Sequence, residues 1–579
     1  MICRRRGGLF LMMAVLGGSA SAEWSSDPSV NLIVFGGAGN QSQPKVALDG
    51  FGNTWISCFS MESAGGDTLQ RVRLQRLDLL GNPFFPTGGV ILGEHSAMSW
   101  TSDYGMMTDA SGNVFVCYAA AGEGGQSSVY ANLATPDGSL PWGADGVEVF
   151  SDSMTESYSP RAIRTGDGGY VMAWTCEVSE TPGFIRMQKL DGDGNLLWGD
   201  GIDLAGAPDQ DLDWAWLTSS GEGFILSWVG RITTGSNLTV NGYLNRYDQD
   251  GAALWAQPVE YSSSGEMFEF TFPQTVSDGA DGAFLAWEEY ADRGSKTSRI
   301  QHVTSGGTST MAAGGTPVST ATVNSHSGPA MAFLPTADDL AVFWVEWNDY
   351  TLDHGIYTQH FSPYGAPALP DTGLAIIDLI DNTYFGLTPR LSVASDVLCV
   401  YGYVPGASAF SHLKAMLVAQ DGSPVWDDWP TVINDTEKDK GGLEVTELCW
   451  GQQWVLAWGE IRGADMDVFA QNIKLDGTLG SSGLGMEGGV CDGALRVLSP
   501  FPNPCSDAVT VRYVASGESC AVLRVFDMGG RIVLETSTPG SVQGLNEIPL
   551  DLSDIGSGVY LFHLQQGGSS ASGRLLVLD

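Results

Sequence analysis

A chain of 579 residues exceeds what one hydrophobic core ordinarily serves, so at least two domains are expected. At 43% hydrophobic and 16% charged residues, the composition excludes a disordered chain. The formal charge of -40, from 67 acidic against 27 basic residues, excludes nucleic acid and anionic membranes as partners and leaves cations, neutral glycans and basic surfaces.

The N-terminus reads as a secretory signal: Arg4, Arg5 and Arg6, then an apolar run from Leu9 to Leu16, then the small residues Ala20-Ser21-Ala22. Residues 1–22 are therefore expected to be removed by cleavage near Ala22. No later apolar run reaches transmembrane length, so no transmembrane segment is expected. Loss of the signal removes Cys3 and leaves Cys58, Cys117, Cys176, Cys399, Cys449, Cys491, Cys505 and Cys520. Their pairing is open, with Cys505–Cys520 one candidate.

From residue 23 to residue 480 the chain repeats. A Gly/Asp turn, a short apolar run and a closing aromatic recur, as in Gly168-Gly169-Tyr170-Val171-Met172-Ala173-Trp174. The closing aromatics are Phe59, Tyr118, Trp174, Trp228, Trp287, Trp344, Tyr401 and Trp458, spaced by 59, 56, 54, 59, 57, 57 and 57 residues. Within Pro160–Leu204 four extended runs are separated by Asp/Gly turns, which predicts a four-stranded antiparallel meander. Such a unit buries its two faces only against copies of itself, and a ring of copies is a β-propeller. Eight aromatics predict eight blades, with seven as the alternative. The aromatics recur in every copy, so they are assigned to packing between blades.

A second aromatic, at Trp142, Trp198, Trp255 and Trp426, follows an Asp/Gly turn, and the repeat around Gln301–Val318 lacks it. The last repeat has no clear fourth strand. The spare run Asn31–Phe35 is expected to supply one and close the ring.

Residues 481–494 are rich in Gly and Ser and read as a linker. The period then stops. Residues 495–579 hold short strands at spacings that predict a small β-sandwich. Here Pro500-Phe501-Pro502-Asn503-Pro504, Val525-Phe526-Asp527-Met528-Gly529-Gly530-Arg531 and Gly558-Val559-Tyr560 follow one another. This order resembles the C-terminal sorting domain of type IX secretion cargo, and is similar to the Ig-like domain of flagellar hook-capping proteins. The sequence departs from that pattern at Cys505, where an aromatic is usual, and at its tail, which lacks a terminal lysine. The resemblance implies an Ig-like fold, engagement of outer-membrane export machinery through residues 495–579, and a secreted or cell-surface protein. It implies Pro502, Asn503, Pro504, Asp527, Gly530, Gly558 and Tyr560 as the sorting motif.

The candidate ligand residues lie on the propeller. Acidic residues follow the closing aromatic at Glu62, Glu177, Glu288, Glu346 and Glu460. If the first strand of each blade is innermost, these loops share a rim with the connections between blades, which carry Tyr158, Trp214 and Trp216 among other aromatics. Carboxylates beside aromatic faces suit glycans or cations. Calcium is the metal such a rim could take, although no metal site or other cofactor is identified. Asp191-Gly192-Asp193-Gly194-Asn195 begins like a calcium loop, but Leu196 and Ile202 stand where an EF-hand needs Gly and Glu, so it reads as a turn. No H-E-x-x-H, G-x-S-x-G or P-loop is present, and no catalytic residue is assigned. The sequence favours a non-catalytic binding or adhesion module. A polysaccharide hydrolase and a structural surface-layer component are the alternatives.

Overall fold

In the computed structural model, residues 24–577 are described apart from 482–495 and several shorter segments. Chain contacts divide it into two compact units, Met1–Ser481 and Ser482–Asp579. The first unit holds eight four-stranded antiparallel sheets. In the first blade the strands are Asn40–Leu48, Thr54–Ala64, Asp67–Leu77 and Val90–Ser96, in that order across the sheet. The first strand of every blade touches the first strand of both neighbours all the way round, including the eighth against the first. The architecture is therefore an eight-bladed propeller with its first strands at the axis.

Closure follows the sequence expectation. Leu32–Phe35 pairs antiparallel with Asp465–Lys474 as the outermost strand of the eighth blade, where Val34 and Phe35 are buried. The N-terminal segment also supplies this blade's second tryptophan. In other blades that tryptophan bonds to the next blade's turn: Trp142 to Gly192 O at 3.0 Å, Trp255 to Ser305 O at 2.9 Å, Trp426 to Leu475 O at 2.9 Å. Trp24 donates likewise to Leu79 O of the first blade at 2.9 Å. The turn beneath needs glycine twice over. Gly194 has φ +83°, and a Cβ there would sit 3.0 Å from the Trp142 ring. In the degenerate fifth blade, buried Met311 packs against the equivalent turn glycine of the next blade, Gly365, in place of a tryptophan.

The recurring third-strand glutamine ties each sheet to its own outer loop. Gln188 accepts from Trp198 N at 3.0 Å and donates to Gly199 O at 3.0 Å, and Gln301 does the same with Met311 N and Ala312 O. All eight closing aromatics are buried between sheets, none more than 3% exposed. Asp191 is a turn residue: its carboxylate accepts from the backbone N–H of Asp193 and Asn195 and from the Asn195 amide, all at 2.9 Å.

The second unit is a sandwich of a three-stranded and a four-stranded sheet, with Val509, Val511, Tyr513, Leu523, Val525, Phe562 and Leu575 in its core. Cys505 lies in that core, Cys520 is exposed and no disulfide joins them, which corrects the candidate pairing. Cys58 and Cys117 are buried unbridged thiols among apolar neighbours, and burial pushes the Cys117 thiol up to about 12.

Candidate functional site

Each blade is an antiparallel meander, so the loops between second and third strands share one face with the crossovers between blades. On this face six axial strands carry a bulge at the same place. Pairing with the second strand shifts between Ser42 and Lys45, Tyr158 and Arg161, Asp213 and Trp216, Ser327 and Ala330, Phe385 and Thr388, and Gly441 and Glu444. The inserted residue has positive φ in all six: Gln43, Ser159, Trp214, Gly328, Gly386 and Gly442. For the three non-glycine residues this conformation costs on the order of 1–3 kcal/mol each. The bulge re-aims the residue that follows it.

In this way, side chains from five blades meet. Lys45 Nζ lies 2.9 Å from Asp103 and 2.6 Å from Glu444. Arg161 pairs with Asp103 and covers the Trp216 ring at 4.5 Å. Burial alone would raise the Asp103 pKa, but Lys45 and Arg161 together hold it well below the usual carboxylate range. Two cations against two anions leave the cluster balanced, and it ties blades together across the ring. The sequence reading put Trp216 on a ligand rim. Here it is half-buried beneath a guanidinium.

The five glutamates separate by their spacing from the aromatic. At two residues on, a strand side chain returns to the aromatic's own face. Glu346 and Glu460 are therefore buried, at 1% and 0% exposure. They accept from the Trp344 and Trp458 indoles at 2.8 and 3.3 Å. Glu289, which the sequence reading passed over, does the same for Trp287 at 2.8 Å. Glu288 is buried and paired with Lys296 at 2.9 Å.

Glu177, three residues on, is exposed and lies 2.7 Å from the Tyr158 hydroxyl, which is also 2.7 Å from Asp213. One hydroxyl proton serves only one of the two carboxylates at a time. Burial raises the Asp213 pKa, partly offset by Arg231. Trp214, next in the chain, stands edge-on to Tyr158 with centroids 6.1 Å apart. Glu62, also three residues on, accepts from Ser60 and pairs with Arg71 and Arg73. It borders a cavity of about 280 Å³ between the closing strand and the first blade, with Phe35, Ala38, Gln41 and Arg73. Among the described residues the buried Gln41 amide oxygen there has no hydrogen-bond partner. The structure thus brings Glu177 and Trp214 to one cluster and leaves Glu62, Glu288, Glu346 and Glu460 each in its own blade.

The axial cluster escaped the sequence reading. A signal for it existed: Ser42-Gln43-Pro44-Lys45, Tyr158-Ser159-Pro160-Arg161 and Ser327-Gly328-Pro329-Ala330 repeat a proline one place before the re-aimed residue. Among the described residues no group of three or more His, Cys, Asp or Glu converges as metal ligands. In the terminal domain Gly558 opens the strand Gly558–Gln566, and the Tyr560 hydroxyl donates to Gly556 O at 2.7 Å. Pro502, Asn503, Pro504, Asp527 and Gly530 lie outside the described residues. No helix among the described residues is long and apolar enough to cross a membrane.

Residues 499–578 match the family described as a secretion system C-terminal sorting domain. No curated protein matches the chain. Among solved structures, the chain is similar to a protein of unknown function from Dyadobacter fermentans at 11% identity, covering 78% of this chain and 98% of that one, with a TM-score of 0.37. It is similar to an endo-arabinase from Bacteroides thetaiotaomicron at 11% identity, covering 56% and 97%, with a TM-score of 0.28. A prolyl endopeptidase matches at 13% identity over 72% of this chain and 55% of its own, with a TM-score of 0.36.

Proposed function

We propose, on the premise that residues 499–578 are a type IX sorting domain, that this propeller is exported cargo acting outside the cell as a non-catalytic binding or adhesion module. Its signal peptide is removed near Ala22, its terminal domain engages the outer-membrane export machinery, and its ligands are glycans or cations met on the crossover face. One observation carries the binding reading over the hydrolytic one. Four of the five glutamates are held by donors from the protein itself, two by indoles, one by a lysine and one by two arginines, while Glu177 shares the Tyr158 hydroxyl with Asp213. Glycoside hydrolysis needs two carboxyl groups facing one bond, about 5–9.5 Å apart and free to exchange protons with substrate. Glu177, exposed beside Tyr158 and Asp213, is the residue on which the two readings divide.

The test is a glycan array and a calcium titration on the exported protein, followed by assays for release of reducing ends from every bound polysaccharide. Binding without turnover is the expected outcome. Turnover abolished by Glu177→Gln alone would overturn the non-catalytic reading, and failure to bind any glycan or calcium would favour a structural surface-layer role.

A further inference from the structure

The fourth blade breaks the pattern of indole and carboxylate. In the fifth, sixth and eighth blades the residue two beyond the closing tryptophan is Glu289, Glu346 or Glu460, and its carboxylate takes the indole N–H. Two beyond Trp228 stands Gly230. Glycine has no side chain to take the Trp228 indole N–H at that position. The vacated space is occupied from the side: a Cβ on Gly230 would lie 2.4 Å from Gln210 Nε2 and 2.7 Å from the Tyr243 ring. The Trp228 and Tyr243 rings lie nearly parallel, 20° apart with centroids at 6.1 Å.

A cavity of about 350 Å³ opens at this point, bordered by Gln210, Trp228, Tyr243, Gln257 and Glu260. Its size falls in the range of small-ligand sites, about 300–1,000 Å³. The crossover Ala205–Gly206–Ala207 forms one wall, and on its other side a second cavity of about 360 Å³ is bordered by Phe184 and Asp203. Glu260 already accepts from Asn241 Nδ2 at 3.0 Å, which orients its carboxylate. Burial and the Glu260 charge raise the Tyr243 pKa and keep its hydroxyl protonated.

The lining selects a ligand class. The Gln257 amide offers donors and an acceptor, the Gln210 amide N–H can donate while its oxygen already accepts from Ala207 N–H at 3.2 Å, the carboxylate accepts, and the Trp228 and Tyr243 rings supply apolar surface. An apolar ligand would displace water from these groups without replacing its hydrogen bonds. An anion would meet Glu260 and no cation among these five residues, on a chain with a formal charge of -40. A molecule with hydroxyls around its edge and C–H groups on its face satisfies both the polar groups and the ring pair.

We propose that this groove binds a neutral saccharide, one ring in the Trp228–Tyr243 cavity and the next across the 205–207 crossover against Phe184. The proposal rests on the binding-module reading and gives it a site and a ligand class. The test titrates the full exported chain with cellobiose, maltose, xylobiose and N,N′-diacetylchitobiose by saturation-transfer NMR and calorimetry, beside the glycan array. The double variant Gln210→Ala/Gly230→Glu rebuilds the carboxylate of the other blades in a strand position whose backbone admits an L side chain. It is expected to weaken disaccharide binding at least tenfold, and to lower Tm to the extent that the Tyr243 ring, 2.7 Å from the new Cβ, must shift. Should that variant misfold, Gln257→Ala alters only an exposed side chain and is expected to weaken binding severalfold. Saccharide binding unmoved by these variants overturns the site and leaves the binding-module reading standing. No binding of any disaccharide or arrayed glycan, with calcium still bound, overturns the saccharide assignment alone. No binding of any kind overturns both.

Discussion

A tryptophan buried at the same place in successive copies brings an N–H that must find an acceptor each time. The glutamate two residues on supplies it because a strand's side chains return to one face with period two. Glu346 shows the consequence for pH. Burial would raise its pKa, but His326 beside it, with hydrogen bonds from Trp344 and Asn324, outweighs burial and holds the carboxyl below 4.5. A carboxyl with a depressed folded pKa contributes stability above its unfolded value, and that contribution is lost as pH falls through the folded one. Glu346→Gln is therefore expected to cost about 1–3 kcal/mol at neutral pH and to flatten the fall in Tm below about pH 4.5. Melting curves from pH 7 to pH 3 check this, and parallel curves for the two proteins would remove the pairing from the account. Spacing also separates roles that the bare sequence ran together. Glu62 and Glu177 stand three residues past their aromatic and meet partners on the other face, whereas Glu346 and Glu460 stand two past and are indole acceptors.

Among the elements, the closing strand carries the largest consequence for so few residues. Trp24, Val34 and Phe35 come from the N-terminal segment and are at most 7% exposed, packed with the eighth and first blades. Each contributes roughly 2–3 kcal/mol by burial. Deleting residues 24–35 is expected to open the ring, lower Tm by 10 °C or more and expose the edge of Asp465–Lys474 to association with other chains. Thermal melts with size-exclusion chromatography read both effects, and a monomer melting within 2 °C of the intact protein would contradict ring closure as a source of stability. This element was legible from sequence because it is a deficit and a surplus at opposite ends of one period. The axial bulges left only a faint trace in the sequence, the proline that follows Gln43, Ser159 and Gly328. They depend on which backbone turns left-handed at Gln43, Ser159 and Trp214, and no side-chain periodicity records that.

For the whole molecule, the two units divide the work. The propeller presents differing crossovers on a common frame, and the terminal sandwich belongs to a family of sorting domains. Deleting residues 495–579 is expected to hold the propeller in the periplasm, folded and with its disaccharide binding intact. Fractionation with immunoblotting reads the location, and equal amounts of truncated and full-length protein at the cell surface would refute the sorting role. The mass of the exported protein shows whether each end has been cleaved.

The repeat period, the eight blades, the closing strand and the terminal sorting domain were all written in the chain, because each is a local pattern of apolar residues, turn residues and motif order that recurs or stops at a definite place. The burial of Phe59, Tyr118 and Trp174 follows for the same reason: repetition marks scaffold. The sites required the folded ring. Lys45, Asp103, Arg161 and Glu444 lie up to 399 residues apart and meet because the first and eighth blades are neighbours in space. Gly230 is unremarkable in sequence. It acquires meaning once Gln210, Trp228 and Tyr243 are seen to border the space that a glutamate fills in three sister blades. Pattern is carried by neighbours along the chain, and a binding site is carried by neighbours across it.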